Sequence, residues 1–417
     1  MKACEIKHPV KTPDWQEKLF LRYLRGFENR LQGRLELQLP SGFIYQAGQQ
    51  SAPAATLRLN SWSALKSLFF GNISGWAQAY VKGHWDCNDL TALTRWALAN
   101  ESLLESMTRG SRISTLLDNL YHFRRDNSRT GSRENIAAHY DLGNDFYAPW
   151  LDKTMSYSAA MFRHQDEDLA QAQHNKYGRI LELLGAGKDE HILEIGCGWG
   201  GFAEQASCEH QLRVHGITLS TEQLSWARTR IANAGKQDDV HLSLTDYRDL
   251  HEQYDGIVSI EMFEAVGEKH WDEYFRVLRR SLKPGGRAVL QVITIDDQRF
   301  HSYRKQADFI QRYIFPGGML PSREALHNTF AKHGFTLNHE EFFGLDYART
   351  LNIWRNSFEQ HWPTISQHGF DEEFRRLWRY YLTYCEGGFL SGSIDVGLFV
   401  ITPEQTQAMP VSDGSGE

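Results

Sequence analysis

From Trp15 the apolar residues Leu19, Phe20, Tyr23, Leu24, Phe27 and Leu31 return at helical spacing, with Lys18, Arg22, Arg25 and Arg30 between them. That pattern predicts a basic amphipathic helix over 15–31. Alternation then takes over. "GRLELQLPSGFIYQAG" reads as a hairpin turning at Pro40, Ser41 and Gly42, "ATLRLN" as a further strand and "SALKSLFF" as a helix. Residues 1–108 are therefore expected to form a small α+β accessory domain. Between 109 and 134 six arginines meet serines and glycines around a short helical "LLDNLYHF", the composition of an interdomain linker. Over 135–403 the strand-like runs "HILEIG", "LRVHGIT", "GIVSI", "RAVLQVITI" and "GLFVIT" alternate with helical ones such as "STEQLSWARTRIANAG" and "WDEYFRVLRRSL". This predicts an α/β domain, a parallel Rossmann-like sheet with helices on both faces and ligands at the strands' carboxyl ends. The tail over 404–417 has nothing to bury and is expected to be disordered.

Composition narrows the class. With 417 residues, 41% hydrophobic and 23% charged, the chain suits two globular domains, and a formal charge of −7 argues against a general nucleic-acid binder. The five cysteines are scattered without a C-x-x-C pair, so neither a disulfide framework nor a metal site is expected, and a reducing cytoplasm is the natural compartment. No run approaches the roughly 18 apolar residues of a membrane span, which leaves peripheral contact as the expected mode.

The stretch "HILEIGCGWGG" runs an apolar strand into a glycine-rich turn in which Gly196, Gly198 and Gly201 satisfy G-x-G-x-x-G. A dinucleotide, a nucleoside bearing a sulfonium and a plain structural turn can all use such a sequence. Two features separate them. Glu194 sits two residues before Gly196, and the next strand ends "HGITLS" with no acid to hold a dinucleotide ribose. A strand-borne carboxylate suits a ligand with a cationic end, and Thr218, Ser220 and Gln223 offer neutral partners for ribose hydroxyls.

The turn "EIGCGWGG" and the later "LKPGG" resemble class I methyltransferases that use S-adenosylmethionine. "HYDLGNDFYAPWLDKTMSYS", "GITLSTEQ", "DYRDL", "SIEMFEAVG", "RYIFPGGMLPS", "YARTLNIW" and "FRRLWRYYLTYCEGGF" resemble, more narrowly, the cyclopropane-fatty-acid synthase family. The resemblance implies transfer of a methyl carbon to the cis double bond of an unsaturated phospholipid acyl chain, then proton loss and ring closure to a cyclopropane. It also implies a homodimer. Tyr157, Ser158, Gly196, Gly198, Thr218, Leu219, Gln223 and Arg248, beside Glu194, are the implied cofactor contacts. Glu264 and Tyr313 fall where the family holds a bicarbonate ion that accepts the proton.

Two departures bear on that ion. Ala159 stands where the family has cysteine and Gln291 where it has histidine. The backbone N–H groups of Ala159 and Ile293 and the amide of Gln291 still offer a nest for an anion, but the imidazole that titrates near neutral pH is gone. Methyl transfer to an alkene, a weak nucleophile that needs a dry, aromatic site, is the step expected to survive. If proton removal is redirected, the product is a methyl- or methylene-branched chain. The basic helix at 15–31, the aromatic "WSALKSLFFGNISGW" and the arginine-rich linker are the candidates for attraction to the inner membrane surface. Two rival readings are a non-catalytic cofactor or lipid binder and a methyltransferase for a soluble amine or alcohol.

Overall fold

The computed structural model describes residues 12–49, 53–108, 142–305 and 308–404. The proposed linker and almost all of the proposed tail lie outside them.

The N-terminal domain is a four-stranded sheet with helices. Strands β1 (Arg34–Gln38) and β2 (Ile44–Gly48) form the expected hairpin, β3 (Ala54–Leu59) runs parallel to β1, and the short β4 (Trp85–Asp86) pairs with β3. The expected long basic helix is shorter: it spans Trp15–Arg25, stops at Gly26 and is followed by one 3-10 turn at Glu28–Arg30. A capping box between Asp14 and Glu17 fixes its start. The helix expected at "SALKSLFF" runs on to Val81.

The second domain holds a seven-stranded sheet. Its strands are β5 (His191–Ile195), β6 (Arg213–Thr218), β7 (Val240–Leu244), β8 (Tyr254–Ile260), β9 (Leu282–Ile295), β10 (Phe335–Phe342) and β11 (Ile394–Pro403), in the order β10-β11-β9-β8-β5-β6-β7. The five strands β5 to β9 are parallel, as expected, whereas at one edge β11 runs antiparallel to both its neighbours, β9 and β10. Strand neighbours feed opposite faces. Ile192, Val258, Val289 and Val400 join one apolar core, while Leu193, Ile257, Leu290 and Phe399 join another. The sheet is therefore covered on both sides, the Rossmann-like methyltransferase arrangement, and its carboxyl edge is left for chemistry.

The helix Glu372–Ser391 ties the two domains together by packing on the helices Ser63–Val81 and Leu90–Ala99. Arg376 lies 4.0 Å from the centre of the Tyr80 ring and donates to the carbonyl oxygens of Tyr80 and Trp85. Gly387 sits so close to Thr94 that an added Cβ would lie 2.4 Å from its Cγ2.

Candidate functional site

One cavity of about 740 Å³ opens at the carboxyl ends of β5, β6, β8 and β9. Its first arm is built by the glycine turn. Gly196, Gly198 and Gly200 all have positive φ, and a side chain at Gly196 would press on Met262 at 3.0 Å, while Gly198 has open space where a Cβ would sit. Gly200, rather than Gly201, is the left-handed residue that caps the helix Gly201–His210. Glu194 is buried at the end of β5, and its Oε2 has no hydrogen-bond partner. Burial pushes its carboxyl well above the usual range, so a cationic ligand group arriving there would relieve an uncompensated site. Thr218 Oγ1 donates to Gln223 Oε1 at 3.0 Å, and both line the cavity with Leu219. Arg248 lines it too, its guanidinium fastened by two hydrogen bonds, of 2.9 and 2.6 Å, to the buried Asp246 carboxylate. An orphaned acid, an open glycine and neutral partners fit the cationic, hydroxyl-bearing S-adenosylmethionine.

Tyr157 and Ser158 line the cavity, and Ala159 follows them buried behind it. Tyr157 OH shares a hydrogen bond with Tyr381 OH at 2.9 Å, and Ser158 Oγ accepts from the Nζ of Lys176 at 2.7 Å. Lys176 is fully buried, which brings its ammonium down to about 7, and the Glu261 carboxylate is the largest influence opposing that fall.

The expected nest of donors is present, but a protein side chain fills it. Glu261 Oε1 accepts from the Ala159 backbone N–H at 2.8 Å and from Gln291 Nε2 at 2.6 Å, while its Oε2 accepts from Tyr347 OH at 2.7 Å. The residue takes φ +49°, a left-handed conformation that a glutamate adopts at some cost. Beside it the Ile293 N–H donates to Glu264 Oε1 at 2.5 Å, and Glu264 Oε2 is buried without a hydrogen-bond partner. Burial, and then the nearby Glu261 charge, push the Glu264 carboxyl up to about 8.

The structure thus brings together Ala159, Gln291, Ile293 and Glu264, but around Glu261. Tyr313 does not join them. It is 37% exposed on the short helix Phe309–Tyr313 and is not among the residues lining the cavity. The tyrosine that meets the Glu261 carboxylate is Tyr347, from the helix Gly344–Ile365. Glu261 and Lys176 went unnoticed in the sequence. The available signal was a second acid in "SIEMFEAVG", at the end of a predicted strand.

The profile of the family described as mycolic acid cyclopropane synthetase matches residues 127–399. The tuberculostearic acid methyltransferase UfaA1 of Mycobacterium tuberculosis is 38% identical over 385 residues, which cover 88% of this chain and 89% of that protein. The cyclopropane-fatty-acyl-phospholipid synthase of Escherichia coli K12 is 35% identical over 353 residues, 83% of this chain and 87% of that one. Among solved structures, the mycolic acid cyclopropane synthase CmaA1, complexed with SAH and CTAB, superposes with a TM-score of 0.61 at 31% identity, over 64% of this chain and 97% of that chain. That match leaves about a third of this chain uncovered. The cofactor-shaped arm and these matches agree: the chain belongs to the mycolic acid cyclopropane synthetase family and is an S-adenosylmethionine-dependent fatty acid methyltransferase of the cyclopropane fatty acid synthase type.

Proposed function

We propose that this protein adds the donor's methyl carbon to the cis double bond of an unsaturated phospholipid acyl chain, and that it yields a methylene-branched chain rather than a cyclopropane. The observation that carries the reading is Glu261, whose carboxylate occupies the donors of Ala159 and Gln291. Both groups are engaged by a carboxylate of the protein where the family's ion would bind, and in this reading the proton acceptor is part of the chain.

When bound, S-adenosylmethionine supplies an electrophilic methyl group on a cationic sulfur. In our reading Glu194 and the turn at Gly196 and Gly198 hold its cationic end, Thr218, Leu219 and Gln223 its sugar, and Arg248, Tyr157 and Ser158 close the arm. Bond formation from one alkene carbon leaves positive charge on its neighbour. The rings of Tyr157, Tyr347, Tyr381 and Phe389, all on the cavity lining, and the Glu261 carboxylate face that charge. Ring closure takes a proton from the new methyl group as its C–H electrons join the cationic carbon. Branching first moves a hydride from the methylated carbon to its neighbour, and proton loss from the methyl group then leaves a terminal methylene. Both routes release one proton. Glu264 Oε2 is the acceptor, being unpartnered and made basic by burial. A carboxylate tethered behind β8 takes the proton more slowly than a small ion seated against the methyl group, which gives the hydride shift time to precede proton loss and favours the branch. UfaA1, the more similar of the two long relatives above, is named a methyltransferase rather than a cyclopropane synthase.

Access to bilayer lipid is served by the first helix. Leu21 and Glu17 face inward, the latter accepting from Ser41, while Trp15, Leu19 and Tyr23 form an exposed stripe beside the exposed Lys18, Arg22 and Arg25. No described helix is long and apolar enough to cross a membrane. An apolar stripe flanked by cations suits the inner face of an anionic bilayer.

The test is to incubate the protein with S-adenosylmethionine and unsaturated phospholipid vesicles, then identify the fatty acids by mass spectrometry and proton NMR. A chain one carbon longer with vinylidene protons is expected, at a rate unchanged by removing dissolved carbon dioxide. In Glu261→Gly the rate should become bicarbonate-dependent. Cyclopropyl protons from the wild-type protein would refute the branched product.

A further inference from the structure

The second arm of the cavity does not end in apolar wall. Past the carboxylates, β9 carries the lining from Ile293 to Ile295, roughly 7 Å at the rise of an extended strand. The helix Asp297–Tyr303 then places Arg299 on the same lining. There Arg299 Nη2 donates to Glu101 Oε1 at 2.7 Å, and Glu101 opens the helix Glu101–Thr108 of the N-terminal domain. The two side chains are 31% and 30% exposed, so both meet solvent at this end of the cavity. Ser102, Gln298 and Ser302 line it beside them. Asp308 lines it too, but its carboxylate is engaged in capping the helix Phe309–Tyr313 through the Gln311 N–H. The middle of the cavity is aromatic and aliphatic: Phe315, Leu320, Tyr381, Phe389 and Ile394. One cavity thus runs from a donor arm, through a greasy passage, to a solvent-facing cation and anion contributed by different domains.

A half-exposed ion pair adds little to fold stability, because water screens it. Its two charges match a different need. We propose that Arg299 and Glu101 are the seat of a zwitterionic phospholipid headgroup, the phosphodiester on the Arg299 guanidinium and the ammonium on the Glu101 carboxylate. The inference rests on the reading of the cavity as an acyl-chain site. Binding gives each member of the pair a charge-assisted contact of its own, and arginine's planar fork suits the phosphodiester oxygens. A headgroup with phosphate but no ammonium leaves Glu101 facing an anion. The seat therefore selects phosphoethanolamine over phosphoglycerol, and it needs the N-terminal domain to exist at all.

Rates are measured in neutral detergent micelles on dioleoyl phosphatidylethanolamine, dioleoyl phosphatidylglycerol and methyl oleate, for the wild-type protein, Arg299→Ala and Glu101→Gln. Micelles remove the effect of a charged vesicle surface. Arg299→Ala should raise KM for the phosphatidylethanolamine about tenfold relative to methyl oleate, the loss of one charge-assisted contact. Glu101→Gln should erase the preference for phosphatidylethanolamine over phosphatidylglycerol. An unchanged ratio in either variant overturns the proposal. Should Arg299→Ala be inactive on all three lipids, glycerophosphoethanolamine is titrated against the wild-type protein. A rise in the apparent KM for phosphatidylethanolamine supports the seat, and no effect at millimolar concentration overturns it. Failure of the acyl-chain reading itself looks different, since the wild-type protein would then methylate none of the three lipids.

Discussion

Glu261 and Glu264 lie three residues apart at the end of one strand, yet they stand in opposite situations. Glu261 has both oxygens engaged by Ala159, Gln291 and Tyr347, whereas Glu264 keeps one oxygen without a hydrogen bond. A group that must accept a proton works only when deprotonated, so with Glu264 held up to about 8 the rate should climb with pH and level off above that value. Glu264→Gln should lose at least about 100-fold in turnover and abolish that limb of the profile, measured as kcat against pH. Stability runs the other way. A buried carboxyl whose value rises from 4.5 to about 8 on folding binds more protons folded than unfolded, so it destabilises the fold as pH rises across that window. The melting-temperature gap between Glu264→Gln and the wild-type protein should accordingly widen in favour of the variant from pH 5 to about pH 8. Of these residues the sequence revealed Glu264, Ala159, Ile293 and Gln291, because they sit in ordered motifs. Glu261 was hidden because its meaning depends on register: Ile260 lies opposite Gln291 in the β8–β9 ladder, and only that pairing brings the acid to the amide. Tyr347 was legible as one aromatic among many, not as the carboxylate's partner, since the helix that aims it begins over 80 residues later in the chain.

At the scale of elements, the parallel strands β5, β6, β8 and β9 were legible because each carries consecutive buried positions filled mostly by β-branched and aliphatic residues, the signature of a strand buried on both faces. Strands β7 and β10 were not. They occupy the two edges of the sheet, and "VHLSL" and "FTLNHEEF" carry the polar residues that an edge permits. The first helix shows another limit of periodicity. The apolar repeat continues to Leu31, but Gly26 ends the helix, and the repeat does not say which apolar residues face inward. Leu21 is buried, while Trp15 and Leu19 are 73% and 64% exposed. If that stripe enters the bilayer, each large side chain contributes about 1.5–3 kcal/mol of burial. Trp15→Ala combined with Leu19→Ala should then weaken binding to anionic vesicles by at least about tenfold in a flotation assay, with wild-type binding itself falling as salt is added. Equal flotation of the two proteins would assign the stripe to another surface.

For the whole molecule, the sequence suggested an accessory domain that meets the membrane, and nothing in its pattern suggested that this domain also walls the cavity. Wall residues such as Leu98 and Glu101 are unremarkable in a linear reading and matter only once the helix Glu372–Ser391 has docked against Leu90–Ala99. That docking has a narrow point. At Gly387 any side chain meets Thr94, and Gly387 lies on the same helix as Tyr381, Tyr384 and Phe389, all on the cavity lining. Gly387→Val therefore cannot be absorbed locally. Either the helix shifts, disturbing the aromatic passage, or the N-terminal domain moves off and the second arm loses part of its wall. Overpacking of this kind costs about 1–3 kcal/mol, a few degrees in melting temperature for a chain of this size. Activity on long-chain phospholipid should fall much more steeply than stability does. Thr94→Gly removes both atoms that the new side chain would strike, Cγ2 at 2.4 Å and Cβ at 2.9 Å, so the double variant should recover activity together with much of the melting temperature. Recovery of melting temperature without activity would show that domain closure is not what completes the lipid site.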